Sequence, residues 1–403
     1  MERNVRHGFK VEANLVNNDT STTTNISDYI TNVMVRKRYF VDTFSLFVVD
    51  MMITAELRNE IRDNNCMIDL TISYYSIADS ENKDVDSSEK IPEGIVFQGL
   101  LRIYDKPFTT TLSKKDEESS SDDTQSNSIP AVPYRIAGVP DKTLKINEDI
   151  VGEIYKSATL SDVLVNILSR TGIYDIRIQQ PDNTELYSNI IVPPLSLVPA
   201  LSFIDNHYHV YSTGLNVFVD DNPAIYCYPP VNVTQTTNML ECTVLSPDVS
   251  AESQQINTLS VDDDNNMYIK YATLPPFAHP KEIIQHSVGT DVIFYSYDDL
   301  YNLNKRDQNL ESSYKKVRYI WNPEKIKTSE VNIKEIERQS AAISLVFSAV
   351  NPDLFNPLTL VRLISQDYPS ASGDYIISEM SYALSSSDHK YFNGNVSISC
   401  IKK

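Results

Sequence analysis

Residues 341–365, AAISLVFSAVNPDLFNPLTLVRLIS, and 373–400, GDYIISEMSYALSSSDHKYFNGNVSISC, close a chain of 403 residues with four runs in which apolar and polar side chains alternate. The runs cover 342–348, 358–364, 375–382 and 395–401. A period of two is the signature of a strand with one buried face, and the spacing of the four predicts an antiparallel meander.

Moving toward the N-terminus, the first hundred residues carry the same grammar. Val33 and Val35, then Phe44, Leu46 and Val48, recur at every second position, as do the apolar residues Ile68, Leu70 and Ile72 of 67–72, MIDLTI. The run VFQGLLRIY over 96–104 continues the pattern, and Gly99 within it predicts a bulge or bend of the kind a small barrel needs at its corners. Residues 113–128, SKKDEESSSDDTQSNS, hold no apolar side chain to offset the entropy of ordering, so they read as a mobile linker.

Beyond the linker the period changes from two to that of a helix. Leu160, Val163, Leu164, Ile167 and Leu168 follow Thr159 as N-cap, with Gly172 placed to end the helix and residues 174–178 to form a strand. The unit recurs: Ser196 can cap a helix bearing Leu197, Leu201, Ile204 and Tyr208, Pro199 fits its first turn, and Gly214 leads into a strand at 215–219. From about 231 to 319 polar runs interrupt short strands such as 267–271 and 292–295.

The expected class is therefore α+β and predominantly β: two antiparallel β-barrel domains flank a mixed α+β domain, with a smaller β-rich insertion. The boundaries read as 1–112 for the N-terminal barrel, 113–129 for the acidic linker and 130–228 for the α+β domain. Segments 229–260 and 320–403 would form the second barrel around an insertion at 261–319.

Composition narrows the function. With 35 Lys plus Arg against 54 Asp plus Glu the net charge is −19, a field that repels phosphate backbones, so sequence-specific nucleic-acid binding is not expected. No run approaches the roughly 18 apolar residues of a membrane span, and the N-terminal MERNVRHGFKVEANL lacks a secretory apolar stretch, which points to folding in a cytoplasm. Cys66, Cys227, Cys242 and Cys400 are far apart and form no C-x-x-C pair, so they read as buried free thiols.

The chain is equally spare in catalytic motifs. Ten glycines write neither G-x-G-x-x-G nor G-x-x-x-x-G-K, and no G-x-S-x-G frames a serine. His207 and His209 would meet one metal only on a strand, whereas the surrounding spacing is helical. Asp262, Asp263 and Asp264 open a loop that lacks the sixth-position glycine of a calcium site and has Thr273 where its closing Glu belongs, so a solvated turn is expected. No catalytic residue, cofactor or metal site is expected. Arg36, Lys37 and Arg38, followed by Tyr39 and Phe40, form the one basic-aromatic cluster, read as a solvated strand-end patch or a surface for an acidic partner.

The C-terminal stretch, with its Asn-Pro-Asp-Leu-Phe-Asn-Pro turn at 351–357, its strand at 373–382 and Asp388, His389 and Lys390 in the last hairpin turn, resembles the closing barrel of the baseplate hub proteins of contractile phage tails. LSDVLVNILSRTG at 160–172, LVPALSFIDNHYHVYSTGLNVFVD at 197–220 and VFQGLLRIYDKPF at 96–108 are similar to that family's middle and opening domains. The resemblance covers nearly the whole chain and implies a homotrimer that adapts a hexameric tail tube to a trimeric spike, with no chemistry of its own. Tail tube, central spike and baseplate wedge proteins would be its partners. DNA would pass through the lumen, and the protein would reside in the virion baseplate after assembly in the host cytoplasm, without stable membrane insertion. Two other classes stay open: a receptor- or carbohydrate-binding tail component, suggested by 24 tyrosines, and a tail-associated peptidoglycan hydrolase.

Overall fold

Strand β1 (His7–Asn17) turns Phe9, Val11, Ala13 and Leu15 to one side and leaves the residues between them at least partly open to solvent, as its sequence alternation demands. The computed structural model in which it is seen describes residues 3–4, 6–77, 92–105, 131–211, 214–221, 224–230, 233, 236–245, 259–262, 266–271, 273–278, 290–295, 316–321, 341–386 and 391–403. Five further strands follow the same rule: β2 (Ile30–Arg38), β3 (Leu46–Ile53), β4 (Cys66–Ser76), β5 (Gly94–Asp105) and β6 (Val132–Pro140). Thr54 caps helix α1 (Ala55–Asp63), its Oγ1 accepting from the Leu57 amide, and α1 buries Leu57 and Ile61.

These strands do not close on themselves. The chain's last hairpin, whose strands we number ahead in chain order as β16 (Gly373–Ser386) and β17 (Tyr391–Lys402), completes them in the order β16-β2-β3-β6-β5-β4-β1-β17. Pairing of β16 with β17 then closes an eight-stranded antiparallel barrel. Its interior is packed with side chains, among them Phe9, Phe47, Phe97, Tyr382 and Phe392, so it is a core and not a pore. Val132–Pro140, read from sequence as the start of the α+β segment, is one of its staves. Gly99 pairs in regular register with Leu70, and the bulges in β5 lie instead opposite Ile72/Ser73 and between Ile103 and Asp105.

The middle unit comprises α2 (Asp141–Glu148), β7 (Ile150–Ala158), α3 (Leu160–Ser169), β8 (Asp175–Ile178), β9 (Tyr187–Ser196), α4 (Leu197–Tyr208), β10 (Asn216–Val219) and β11 (Ala224–Tyr228). Both helix-strand repeats form as expected. Thr159 and Asp162 make a reciprocal capping box at α3, while Ser196 occupies the N-cap position of α4 without a side-chain bond. Strand β11 sits between β8, to which it is parallel, and β10, to which it is antiparallel. Helices α3 and α4 supply a second core around Leu160, Val163, Ile167, Leu201 and Ile204.

The second β unit adds β12 (Asn238–Val244), β13 (Met267–Tyr271), β14 (Ala342–Ser348) and β15 (Thr359–Ser365) to the same hairpin, in the order β13-β12-β15-β16-β17-β14. The mostly β architecture with a mixed middle is as the sequence predicts, but two details differ. Strand β12 is parallel to both β13 and β15, so this sheet is mixed. The last four strands are not a meander, because β14 lies beside β17 and the chain crosses before β15, in the manner of a Greek key. Alternation specifies faces and not neighbours, which is why the sequence could not distinguish the two.

Within the hairpin the partner changes at a bulge between Ile377 and Glu379. Up to Ile376, β16 pairs with β15; from Glu379 onward it pairs with β2. On β17, residues 395–401 pair with β14, whereas Tyr391 and Phe392 pair with β1. One hairpin thus belongs to both β units.

Residues 290–295 and 316–321 form a separate parallel pair. The rest of 261–319 falls largely outside the described residues, as do the linker at 113–129 and the hairpin turn with Asp388, His389 and Lys390. The four cysteines are buried thiols outside any disulfide, and burial pushes the Cys227 and Cys242 thiols up to about 12. Among the described residues no helix is long and apolar enough to cross a membrane.

Gly394 marks where the shared hairpin touches the barrel interior: a Cβ there would come within 2.4 Å of the Phe9 ring and 3.1 Å of Leu384. Gly394→Ala is expected to lower stability by about 1–3 kcal/mol in chemical denaturation. Gly99→Ala, whose Cβ would meet only Phe97 at an ordinary 3.5 Å, should stay within about 0.5 kcal/mol of the parent.

Candidate functional site

The basic run at the end of β2 is where the three units meet. Successive residues of a strand point to opposite faces, so Arg36 and Arg38 face outward and Lys37 inward. Arg36 forms a two-point pair with Glu379 of the hairpin, Nε to Oε1 at 2.7 Å and Nη2 to Oε2 at 3.4 Å. Arg38 does the same with Asp42 at 2.6 Å for each contact. The acidic partner considered from sequence is therefore internal, and the solvated patch is corrected in its centre: Lys37 is 4% exposed.

Two consecutive carboxylates meet Lys37. Its Nζ donates to Asp220 Oδ1 at 2.6 Å and lies 3.0 Å from Asp221 Oδ2. Both aspartates sit where the chain leaves β10 for β11, a turn held by the Asp220 amide donating to Ala224 O at 2.9 Å. The turn is pressed against the segment following β2. The Val219 amide donates to Thr43 O at 2.9 Å, the Tyr228 hydroxyl donates to Tyr39 O at 2.8 Å, and the Tyr39 and Phe218 rings meet edge to face at 4.8 Å. The Tyr39 amide donates to Ser378 O, which fixes this segment to the hairpin bulge.

Burial shapes the electrostatics. Desolvation opposes the Lys37 charge, yet the carboxylates of Asp220 and Asp221 outweigh it and hold the ammonium well above its ordinary value. Asp221 is raised, chiefly by burial, with Lys37 pulling the other way. Burial likewise raises the hydroxyls of Tyr39 and Tyr382 beside the cluster, and neither hydroxyl finds a hydrogen-bond partner among the described residues.

On the solvent side of Asp220 a polar cleft of about 400 Å³ separates the middle unit from the second β unit. Asp175, Arg177 and Tyr226 line one wall, Asp353 and Asn356 the other. Arg177 Nη2 donates to Asp175 Oδ2 at 2.8 Å and its guanidinium lies 5.4 Å from the Tyr226 ring centroid, so the wall's cation is already engaged. The hydrogen bond from Arg177 holds the Asp175 carboxyl below its usual range.

The other motifs are not drawn together. His207 lies near the end of α4, its ring stacked on Phe203 at 3.9 Å, while His209 takes a left-handed conformation with φ of 52° just beyond it. Asp262 closes a turn: its Oδ1 accepts from the Asn266 amide at 2.8 Å and its Oδ2 from the Tyr268 hydroxyl at 3.1 Å. Asp263 and Asp264 fall outside the described residues. Among the described residues no three His, Cys, Asp or Glu side chains converge as a metal site.

Sequence reasoning missed the Lys37 junction. The available signal was the inward phase of Lys37 between two outward arginines, opposed to the Asp220-Asp221 pair at a strand end 183 residues away. Lys37→Met would leave two buried carboxylates without their cation and should cost about 3–5 kcal/mol in urea unfolding. Arg36→Met, at a pair open to solvent, should change stability by no more than about 1 kcal/mol.

Comparison with known proteins sets this fold in context. A 43 kDa tail protein of prophage MuSo2 from Shewanella oneidensis is similar at 11% identity and a TM-score of 0.46, over 99% of this chain and 97% of that one. A tail protein from Neisseria meningitidis MC58 gives 9% identity and 0.44, over 97% and 96%. An Escherichia coli component of the type VI secretion system, itself described as similar to T4 tail proteins gp27 and gp5, gives 9% and 0.40, over 93% and 74%. No curated protein matches by sequence. A family model does, over residues 5–398, and the chain accordingly belongs to the family of the bacteriophage PBS1 gene 109 protein.

Proposed function

We propose that this protein is a structural subunit of a phage tail hub, in which three copies form a collar that adapts a six-fold tail tube to a three-fold spike. The observation that carries the reading is the shared hairpin: each chain presents two β units held in fixed relation by strands β16 and β17. Three such chains offer six β units to a hexameric neighbour and three chains to a trimeric one, so symmetry is converted by covalent pairing. The reading agrees with membership in a family named for a bacteriophage protein.

The filled barrel constrains how DNA would pass. Phe9, Phe47, Phe97 and Phe392 occupy its interior, so any passage runs between subunits and not through a barrel. A net charge of −19 suits a collar through which a polyanion slides without adhering. In this account the protein works by geometry, with tube, spike and wedge proteins as partners, in the baseplate of the virion.

Light scattering of the purified chain tests the proposal. A mass three times 45.6 kDa, with a hollow three-fold ring in negative-stain images, is the expected result. A monomer that retains glycans on an array would overturn it in favour of a receptor-binding component, and clearing of a cell-wall gel in favour of a hydrolase.

A further inference from the structure

We propose that Lys37, Asp220 and Asp221 form an acid-tightened latch: one ammonium faces two carboxylates at the joint between barrel and middle unit, and uptake of a single proton locks the joint. The geometry gives the charge count. The Lys37, Asp220 and Asp221 side chains are 5%, 12% and 2% exposed, with Nζ 2.6 Å and 3.0 Å from the two acids, so the fully ionised cluster confines one uncompensated negative charge. Burial of unpaired charge is costly, and one proton taken up at Asp221 brings the cluster to neutrality.

Among the described residues no second cation offsets the excess; the Ser45 hydroxyl faces Asp221 and the Asp221 amide donates to Asp220 Oδ1 at 2.7 Å, and both groups are neutral. Tyr39 and Tyr382 face the cluster from the segment after β2 and from the hairpin, and both are neutral. From the middle unit Tyr226 faces Asp220, and Arg177 beside it is taken by Asp175. Asp353 approaches from the second β unit and adds negative charge near Tyr382. Lys142 of α2 lines a cavity of about 50 Å³ together with Asp220 and Asp221, but its side chain is exposed and its charge is solvated. Asp220 also borders the open cleft, which gives the proton a route from solvent.

The sign follows from the folded-state shift. Asp221 is raised by burial, so its ionisation penalty is present in full above the folded value. The penalty falls away as the pH drops through that value toward the ordinary carboxylate range near about 4. The joint therefore tightens on acidification, although most carboxylates in ion pairs loosen.

The test compares the full-length protein with Asp221→Asn between pH 8 and pH 5. Because the acidic chain changes stability with pH throughout, the readout is the difference between variant and parent at each pH. The variant should melt a few degrees higher at pH 8, with the gap narrowing as the pH falls toward the ordinary carboxylate range. In the parent, protection of the Val219 amide against hydrogen exchange should rise severalfold over the same interval, after correction for intrinsic rates. A variant that melts lower by a constant amount at every pH would overturn the latch, since both negative charges would then be required. Should Asp221→Asn fail to fold, infrared spectra of the parent decide: a protonated-carboxyl band that grows, as the pH is lowered from 8, before the ordinary carboxylates titrate supports the latch, and its absence refutes it.

Discussion

Strands β16 and β17 cannot bend independently at their midpoint, because each half of the hairpin is hydrogen-bonded to a different sheet. On one side of the Ile377/Glu379 bulge β16 completes a sheet with β15, and on the other it closes the barrel against β2. A barrel without this closure would expose two long unpaired edges, the arrangement that invites aggregation. The final thirty residues therefore determine whether the six strands between His7 and Pro140 form a barrel, and they fix how the two β units lie relative to one another. Gly394 shows how close this fit is, since the backbone approaches Phe9 with no room for a methyl group.

The middle unit is attached differently. It has its own core and reaches the barrel through the turn after β10, where a backbone bond to Thr43, the Tyr228 hydroxyl and a buried ion cluster act within a few residues. Apolar packing alone would dock such a unit in many registers. The contact of Lys37 with Asp220 and Asp221 adds a directional constraint, at the cost of desolvating three charges.

Much of this was legible in the sequence, in ways that follow from range. The four C-terminal strands and the two helix-strand repeats are written in local periods of two and 3.6, and each formed within a few residues of its expected bounds. Helices α1 and α2, eight or nine residues long, bury only two or three side chains each and left too short a periodic trace. The sharing of the hairpin left none, because Tyr382 and Ile376 alternate identically whichever sheet receives them. Lys37 was hidden for a related reason: a basic triplet reads as solvated until the carboxylates from the far side of the α+β unit are placed beside it.

Native-state hydrogen exchange at increasing denaturant tests most directly whether the hairpin makes the two β units one body. The account predicts that amides bonded across β2 and β16 and those bonded across β15 and β16 converge on a single opening free energy and denaturant slope. Two separate isotherms, with the barrel opening while the second sheet stays protected, would contradict it.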